Sequence, residues 1–171
     1  MDPFLELLRA LKATDARFLV IGVWGANYYA HAGSVVFETR DRDLFLPPDP
    51  ANLVKAWDAC LVARFSLWAG EEPLDQPRDL WLAERVVERR ALVRATREGG
   101  LEVDLSLVMA GFEFETIWTE RRVFQVEGVE VPVARLSHIV ASKAAAGRQK
   151  DRLFLATHEE ALRQLLGKVD F

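Results

Sequence analysis

Residues 39–46 have the sequence Thr-Arg-Asp-Arg-Asp-Leu-Phe-Leu, in which two aspartates directly precede an apolar run. The apolar run predicts a buried β-strand. Because successive strand side chains point to opposite faces, Asp41 and Asp43 would share one face and could hold one cation together. The alternative is a solvated strand edge, on which the aspartates pair with the flanking Arg40 and Arg42.

A second strand with apolar–polar alternation is predicted at residues 101–107. One face would carry Glu102, Asp104 and Ser106, and the other would carry Leu101, Val103, Leu105 and Leu107. If this strand lies beside the first, each pair of like charges near 4 Å costs about 4 kcal/mol at an effective dielectric constant of 20. Hard divalent cations such as Mg²⁺ relieve this repulsion and prefer oxygen ligands. Together the two stretches indicate a metal site formed by Asp41, Asp43 and Asp104.

A glycine-containing turn, Gly22-Val23-Trp24-Gly25, lies between a predicted strand at 18–21 and a predicted helix at 24–31. Such a junction presents backbone N–H groups and the positive end of a helix to an anion. The alternative is a tight turn that needs glycine for steric reasons alone. Short glycine motifs are common, so the turn by itself leaves both interpretations open.

The composition fits one folded domain in a reducing compartment. Of the 171 residues, 50% are hydrophobic and 28% are charged, so a sizeable core is expected. The formal net charge of -4 argues against a protein that mainly grips nucleic acid through its phosphates, although a local basic groove stays open. Cys60 is the single cysteine and allows no intrachain disulfide, and the N-terminus is unlike a signal peptide. A cytoplasmic location is expected.

Residues 18–37 contain no Asp, Glu, Lys or Arg, and this length could span a bilayer. The segment nevertheless contains several glycines and polar side chains, including Asn27, His31 and Ser34. It divides more naturally into a strand, a turn and a buried helix that ends at Gly33. No membrane association is expected.

The remaining patterns predict a mixed α/β (α+β) fold. Helices are expected at 3–13, 24–31, 49–63, 79–87 and 136–168, the last with a pause near Gly147. Strands are expected at 18–21, 43–46, 65–68, 90–96, 101–108, 123–126 and 129–133. This order predicts a small mixed β-sheet backed by helices. Residues 1–171 are expected to form a single domain, with a core at about 16–135 and a C-terminal helical part at about 136–168.

Segments 21–27, 39–44 and 103–105 resemble the nucleotidyltransferase superfamily that includes DNA polymerase beta. Segment 136–151 is similar to a Lys…Gly-Arg-x-Lys-Asp segment that closes many such domains. Within the superfamily, the chain is most similar to small bacterial proteins related to aminoglycoside and lincosamide nucleotidyltransferases and to toxin–antitoxin nucleotidyltransferases. The resemblance extends from about residue 18 to residue 155, and it implies a nucleotidyltransferase-like fold.

The resemblance also implies a reaction and a metal requirement. A nucleoside monophosphate such as AMP would pass from an NTP to a hydroxyl acceptor, with release of pyrophosphate. Asp41 and Asp43 would hold two Mg²⁺ ions on the triphosphate, where paired ions stabilise the attacking and leaving oxygens. Asp104 would complete the shell of the catalytic ion and help to deprotonate the acceptor hydroxyl.

Nucleotide contacts are implied at two further places. The turn Gly22-Val23-Trp24-Gly25 would receive the β- and γ-phosphates, and Trp24 would shape the nucleotide pocket. Lys143 and Lys150 are seven residues apart, or two helical turns, so both could point toward the nucleotide. The alternative for these lysines is a solvated basic helix face.

The turn also departs from the family pattern. Family members usually have Gly-Gly or Gly-Ser where this chain has Gly22-Val23, and a β-branched valine resists the backbone angles that glycine adopts. An alternative function is therefore a catalytically weak or inactive protein that binds a protein partner, for example in a toxin–antitoxin-type module. A template-directed polymerase or a tRNA-modifying enzyme is less favoured, because the chain is short and acidic overall.

Overall fold

Helices and strands alternate along the described residues, 1–30 and 37–168, of this computed structural model. The helices are α1 (Pro3–Ala13), α2 (Gly22–Asn27), α3 (Pro50–Val62), α4 (Leu80–Arg89), α5 (Phe114–Thr119), α6 (Leu136–Ala146), α7 (Gln149–Thr157) and α8 (Glu159–Lys168). The strands are β1 (Leu19–Ile21), β2 (Arg42–Phe45), β3 (Ser66–Ala69), β4 (Glu72–Pro73), β5 (Val93–Arg97), β6 (Leu101–Ser106), β7 (Arg122–Val126) and β8 (Val129–Val133). The mixed α+β class predicted from the sequence is confirmed.

The strands of the described residues form one mixed sheet in the order β4-β3-β5-β6-β2-β1-β8-β7. Strand β2 lies near its centre, antiparallel to β1 and parallel to β6. In the pairing of β2 with β6, Asp43 lies directly opposite Asp104. In the antiparallel pairing of β6 with β5, Asp104 lies directly opposite Arg94. A row of three charged residues therefore crosses the middle of the sheet.

Helices α1 and α3 pack on each other and on the sheet. Helix α1 begins at a cap, because the Asp2 carboxylate accepts a hydrogen bond from the Leu5 N–H at 3.1 Å and Pro3 suits the first turn. Asp49 caps α3 in the same way, accepting from the Ala51 N–H at 3.1 Å. The buried residues of α1 are Phe4, Leu5, Leu7, Leu8, Ala10 and Leu11. This layer supports the sheet from which the site residues project.

Three differences from the predicted helices have local causes. Helix α2 begins at Gly22 and ends at Asn27 rather than covering 24–31, and the predicted end near His31 and Gly33 lies outside the described residues. Helix α5 was not predicted, because six residues are too few to establish a helical period. The long C-terminal helix is divided into α6, α7 and α8. Gly147 ends α6 in the left-handed conformation, with φ of 61°.

The charge-free segment 18–37 contains β1 and the short helix α2 in its described part. Across residues 1–30 and 37–168, no helix combines the length and the apolar character needed to cross a membrane.

Candidate active site

Three carboxylates line one side of a cleft over the centre of the sheet, and we call Asp41, Asp43 and Asp104 the acidic wall. Asp43 projects from β2 and Asp104 from β6, and the two residues are direct partners in the ladder. Neighbouring strands lie about 4.8 Å apart, so directly paired side chains on one face are close neighbours. Asp41 immediately precedes β2, and its side chain is 70% exposed. The sheet thus brings all three predicted aspartates to one cleft.

Asp43 carries the clearest sign of electrostatic stress. Burial of this half-buried residue, together with the negative charges of Asp104 and Asp41, raises the pKa of its carboxyl to about 6. The positive charges of Lys150 and Lys143 act in the opposite direction without cancelling the rise. A positive charge that approaches Asp43 therefore stabilises its ionised carboxylate.

Gly22, the first residue of α2, lies against this carboxylate. Its φ of +71° is in the left-handed region that favours glycine. A Cβ at this position would lie 2.8 Å from Asp43 Oδ2, closer than real Cβ contacts. In the predicted phosphate turn, the absence of a side chain at Gly22 therefore makes room for the Asp43 carboxylate. Gly22 also lines the cleft.

Asp104 is held by an arginine that was not predicted as a site residue. Arg94 Nε donates a hydrogen bond to Asp104 Oδ1 at 2.8 Å, and a second guanidinium N–H donates to Oδ2 at 3.4 Å. This hydrogen bond and the charge of Asp104 raise the pKa of Arg94. The same guanidinium lies 3.7 Å from Glu102 Oε2. Glu102, which shares the polar face of β6, is thus tied to Arg94.

Cations of α6, of α7 and of the junction between them also line the cleft, and we call Lys143, Arg148 and Lys150 the basic wall. Two of them are tied to Asp151, whose side chain is 1% exposed. Arg148 Nε donates to Asp151 Oδ2 at 2.7 Å, and Lys143 Nζ lies 3.4 Å from Oδ1. Burial acts to raise the pKa of Asp151, but the Arg148 hydrogen bond and the two positive charges outweigh it, so the pKa is lowered.

Lys150 differs from Lys143 in its freedom to meet a ligand. Its side chain is 64% exposed and its Nζ lies 4.0 Å from Asp41 Oδ2, whereas the Lys143 side chain is 13% exposed. The sequence pattern placed both lysines on one helix, two turns apart. They lie instead on α6 and α7, because Gly147 interrupts the helix between them. Both nevertheless line the cleft.

The acidic and basic walls enclose a cleft of about 330 Å³. This volume is at the lower end of the range for small-molecule sites. The rest of the lining includes Ile21, Ser106, Met109, Ile139 and Ser142. The cleft thus combines carboxylates and Arg94 from the sheet with the cations of the basic wall and several apolar side chains.

Three residues of the predicted phosphate turn lie elsewhere. The Trp24 ring packs edge-on against Phe4, with centroids 6.2 Å apart, and the Arg42 guanidinium lies 3.5 Å from its centroid. Gly25 is buried, and a Cβ there would lie 3.1 Å from the Ile139 side chain. Val23 packs against the hydrophobic core. In the described part of the chain, the cleft lining includes Gly22 but not Val23, Trp24 or Gly25.

The fit of the acidic wall to Mg²⁺ is best for Asp43 and Asp104. These two oxygen donors are adjacent, and their mutual repulsion is one that a hard cation relieves. The exposed Asp41 would have to turn toward them to contribute. Among the described residues, no three His, Cys, Asp or Glu side chains already form a metal-binding group.

Sequence reasoning missed the parts played by Arg94, Arg148 and Asp151. A signal for Arg94 is present in the sequence, because the turn at 97–100 predicts a hairpin. That hairpin pairs Arg97 with Leu101 and therefore Arg94 with Asp104. The ion pair of Asp151 with Lys143 depends on the break at Gly147, which allows α7 to contact α6, whereas Arg148 lies three residues before Asp151.

No protein-family model matches this chain, and no curated protein matches it significantly.

Proposed function

We propose that this chain is a Mg²⁺-dependent nucleotidyltransferase that acts in the cytoplasm. It transfers a nucleoside monophosphate from an NTP, with ATP as the first candidate, to a hydroxyl acceptor and releases pyrophosphate. One observation carries the proposal. The paired Asp43 and Asp104 line the same cleft as the basic wall and Gly22. Carboxylates and cations in one cleft suit a ligand that combines a metal ion with a polyanion.

The acidic wall would hold the metal. Asp43 and Asp104 would provide the main oxygen ligands, and Asp41 would join them by turning inward. When bound there, Mg²⁺ would neutralise triphosphate charge and polarise the phosphorus that is attacked. The raised pKa of Asp43, about 6, supports this role, because a carboxylate with a raised pKa gains most from a nearby cation.

The basic wall would hold the triphosphate. Lys150 is the most exposed lysine of the wall and would contact phosphate oxygens directly. Arg148 has 61% of its side chain exposed and keeps donors beyond those given to Asp151. Lys143, tied to buried Asp151, would act mainly through its charge. The resemblance of segment 136–151 to nucleotidyltransferases supports the same assignment.

The chemical step requires an acceptor hydroxyl beside Asp104. The hydroxyl oxygen attacks the α-phosphorus, and the bond from that phosphorus to the bridging oxygen of the β-phosphate breaks. Pyrophosphate leaves, and the hydroxyl proton passes to an oxygen of the Asp104 carboxylate. The cleft aligns these groups, and positioning of this kind provides much of the rate of phosphoryl-group transfer.

The proposal is tested by isothermal titration of ATP, GTP, CTP and UTP with Mg²⁺ present. We expect one or more nucleotides to bind the wild type, and the double variant Asp41→Asn/Asp43→Asn to lose that binding. Asp58→Asn is the matched control, because Asp58 is an exposed aspartate on α3 that does not line the cleft. A folded wild type that binds no nucleotide, or a double variant that binds as well as the wild type, would contradict the proposal.

A second candidate function is a non-catalytic protein that binds a protein partner. One observation favours it: Arg94 occupies both oxygens of Asp104 and so neutralises part of the acidic wall without any ligand. Such a protein would bind NTP poorly whether or not Mg²⁺ is present. Strong Mg²⁺-dependent nucleotide binding would therefore exclude this candidate.

A further inference from the structure

We propose that Arg94 is the internal counter-ion of Asp104. By holding that carboxylate, Arg94 sets the affinity of the cleft for divalent ions. The inference rests on the proposed function, because it assumes that Asp43 and Asp104 form the metal site. Before a metal ion binds, Arg94 occupies the Asp104 half of that site.

The geometry of the pair makes it a competitor for metal. The guanidinium contacts both carboxylate oxygens of Asp104, at 2.8 and 3.4 Å. These are the atoms that a divalent ion would use. A cation cannot bind them without displacing the arginine or sharing its positive field. Arg94 and a metal ion therefore compete for the negative charge of Asp104.

The backbone holds Arg94 opposite Asp104, whereas the Arg94 side chain is free to move away. Arg94 lies between Val93 and Ala95, which are 1% and 0% exposed and hold β5 in register with β6. The Arg94 side chain itself is 44% exposed. It can leave Asp104 by changing rotamer, with its guanidinium still in water. Such exposed pairs are weak, so a metal ion can displace the arginine.

Asp43 and Asp104 therefore differ in how readily they accept a metal ion. Asp104 has a hydrogen-bonded cation, whereas the Asp43 carboxylate lies against Gly22. The charges of Lys143 and Lys150 also act on Asp43, and Glu102 shares Arg94 with Asp104. A metal ion would meet Asp43 first and complete its coordination when Arg94 withdraws.

The test measures Mn²⁺ binding by electron paramagnetic resonance, with no nucleotide present. The wild type is compared with Arg94→Gln, with Arg94→Lys and with the control Arg85→Gln. Arg85 forms a comparable ion pair with Glu88 at 2.9 Å on α4, away from the cleft. We expect Arg94→Gln to bind Mn²⁺ about 3- to 10-fold more tightly, because it removes a competing charge a few ångströms away. Arg94→Lys keeps the charge and should stay nearer the wild type, and the control should match it.

Each outcome decides the inference. Arg94→Gln affinity equal to or weaker than wild type would overturn it, and the proposed function would survive if Asp43→Asn still abolished Mn²⁺ binding. Failure of both the wild type and Arg94→Gln to bind Mn²⁺ would overturn the proposed function together with the inference. Circular dichroism verifies folding, and Arg94→Met replaces Arg94→Gln if that variant does not fold.

Discussion

The two walls of the cleft are built in opposite ways. In the acidic wall, Asp43 and Asp104 project from neighbouring strands, whose spacing is fixed by the hydrogen-bonded ladder. The basic wall lies on α6, on α7 and at the junction between them next to Gly147. The sheet forces the like charges of Asp43 and Asp104 together, whereas the helix junction brings the buried Asp151 to its cations.

The carboxylates Asp43 and Asp151 show the consequence. Burial and like charges raise the pKa of Asp43, whereas the cations around Asp151 lower its pKa despite its burial. Asp151 thus has its counter-charges within the protein and contributes to stability. No described residue forms an ion pair with Asp43, and its carboxylate is suited to an external cation. The comparison separates a structural carboxylate from a functional one in the same part of the fold.

The largest expected effect is on the structural side of this comparison. Asp151→Ala should lower the free energy of unfolding by about 2–4 kcal/mol, because it leaves the largely buried Lys143 without its counter-charge. Urea unfolding monitored by circular dichroism measures the change. Glu159→Ala, which removes an exposed ion pair with Arg163, should leave stability unchanged within error. Equal effects of the two substitutions would show that the buried ion pairs of Asp151 stabilise the fold no more than an exposed pair does.

Gly22→Ala should cost about 2–3 kcal/mol of stability. It combines a left-handed backbone angle with a Cβ 2.8 Å from Asp43 Oδ2. Gly70→Ala is the matched control, because Gly70 has a similar φ of +65° but a Cβ there would meet nothing within 4 Å. It should cost only about 1 kcal/mol. Thermal unfolding compares the two, and Mg²⁺-dependent nucleotide binding should weaken in Gly22→Ala alone. Identical losses would mean that the contact with Asp43 is unimportant.

Asp43→Asn should stabilise the metal-free protein by about 1–3 kcal/mol at pH 7.5. A carboxyl with a raised pKa in the folded state destabilises that state above its pKa of about 6. As the pH falls through 6 toward the ordinary carboxyl pKa, Asp43 becomes protonated and this penalty disappears. The difference between variant and wild type should therefore shrink between pH 7 and pH 4 in chemical unfolding. A variant less stable than wild type at pH 7.5 would contradict the repulsion argument.

The smallest effect on stability is expected at the exposed end of the basic wall. Lys150→Gln should leave stability within about 0.5 kcal/mol of wild type, because its side chain is 64% exposed. Its nucleotide affinity should nevertheless fall about 3- to 10-fold, through loss of a charged phosphate contact. Lys143→Gln should instead lower stability clearly and change nucleotide affinity less than Lys150→Gln does. Titration calorimetry and unfolding on both variants measure the contrast, and matching profiles would show that burial does not separate the lysines.

Much of the acidic wall follows from local sequence. Strand alternation places Asp104 on the polar face of β6, and the apolar run after Asp43 marks β2. The lateral order of the strands is different in kind, because it depends on contacts between residues about sixty positions apart, here Asp43 and Asp104. Charge repulsion and alternation predict the residues of the site, but only the assembled sheet determines their pairing.

The rest of the cleft depends on tertiary packing that local patterns do not contain. Trp24 follows the turn in sequence, yet its ring is held by Phe4 and Arg42 away from the cleft. Lys143 and Lys150 have helical spacing, yet Gly147 separates them. Arg94 lies closer to what can be predicted, since the hairpin register alone aligns it with Asp104.

The most direct test of the central claim is anomalous diffraction from crystals grown with Mn²⁺ and a non-hydrolysable NTP analogue. We predict a manganese peak within coordination distance of both Asp43 and Asp104. The triphosphate should extend from it toward Arg148 and Lys150, with Arg94 withdrawn from Asp104. A nucleotide bound elsewhere, or a cleft without manganese in which Arg94 still holds Asp104, would contradict the account.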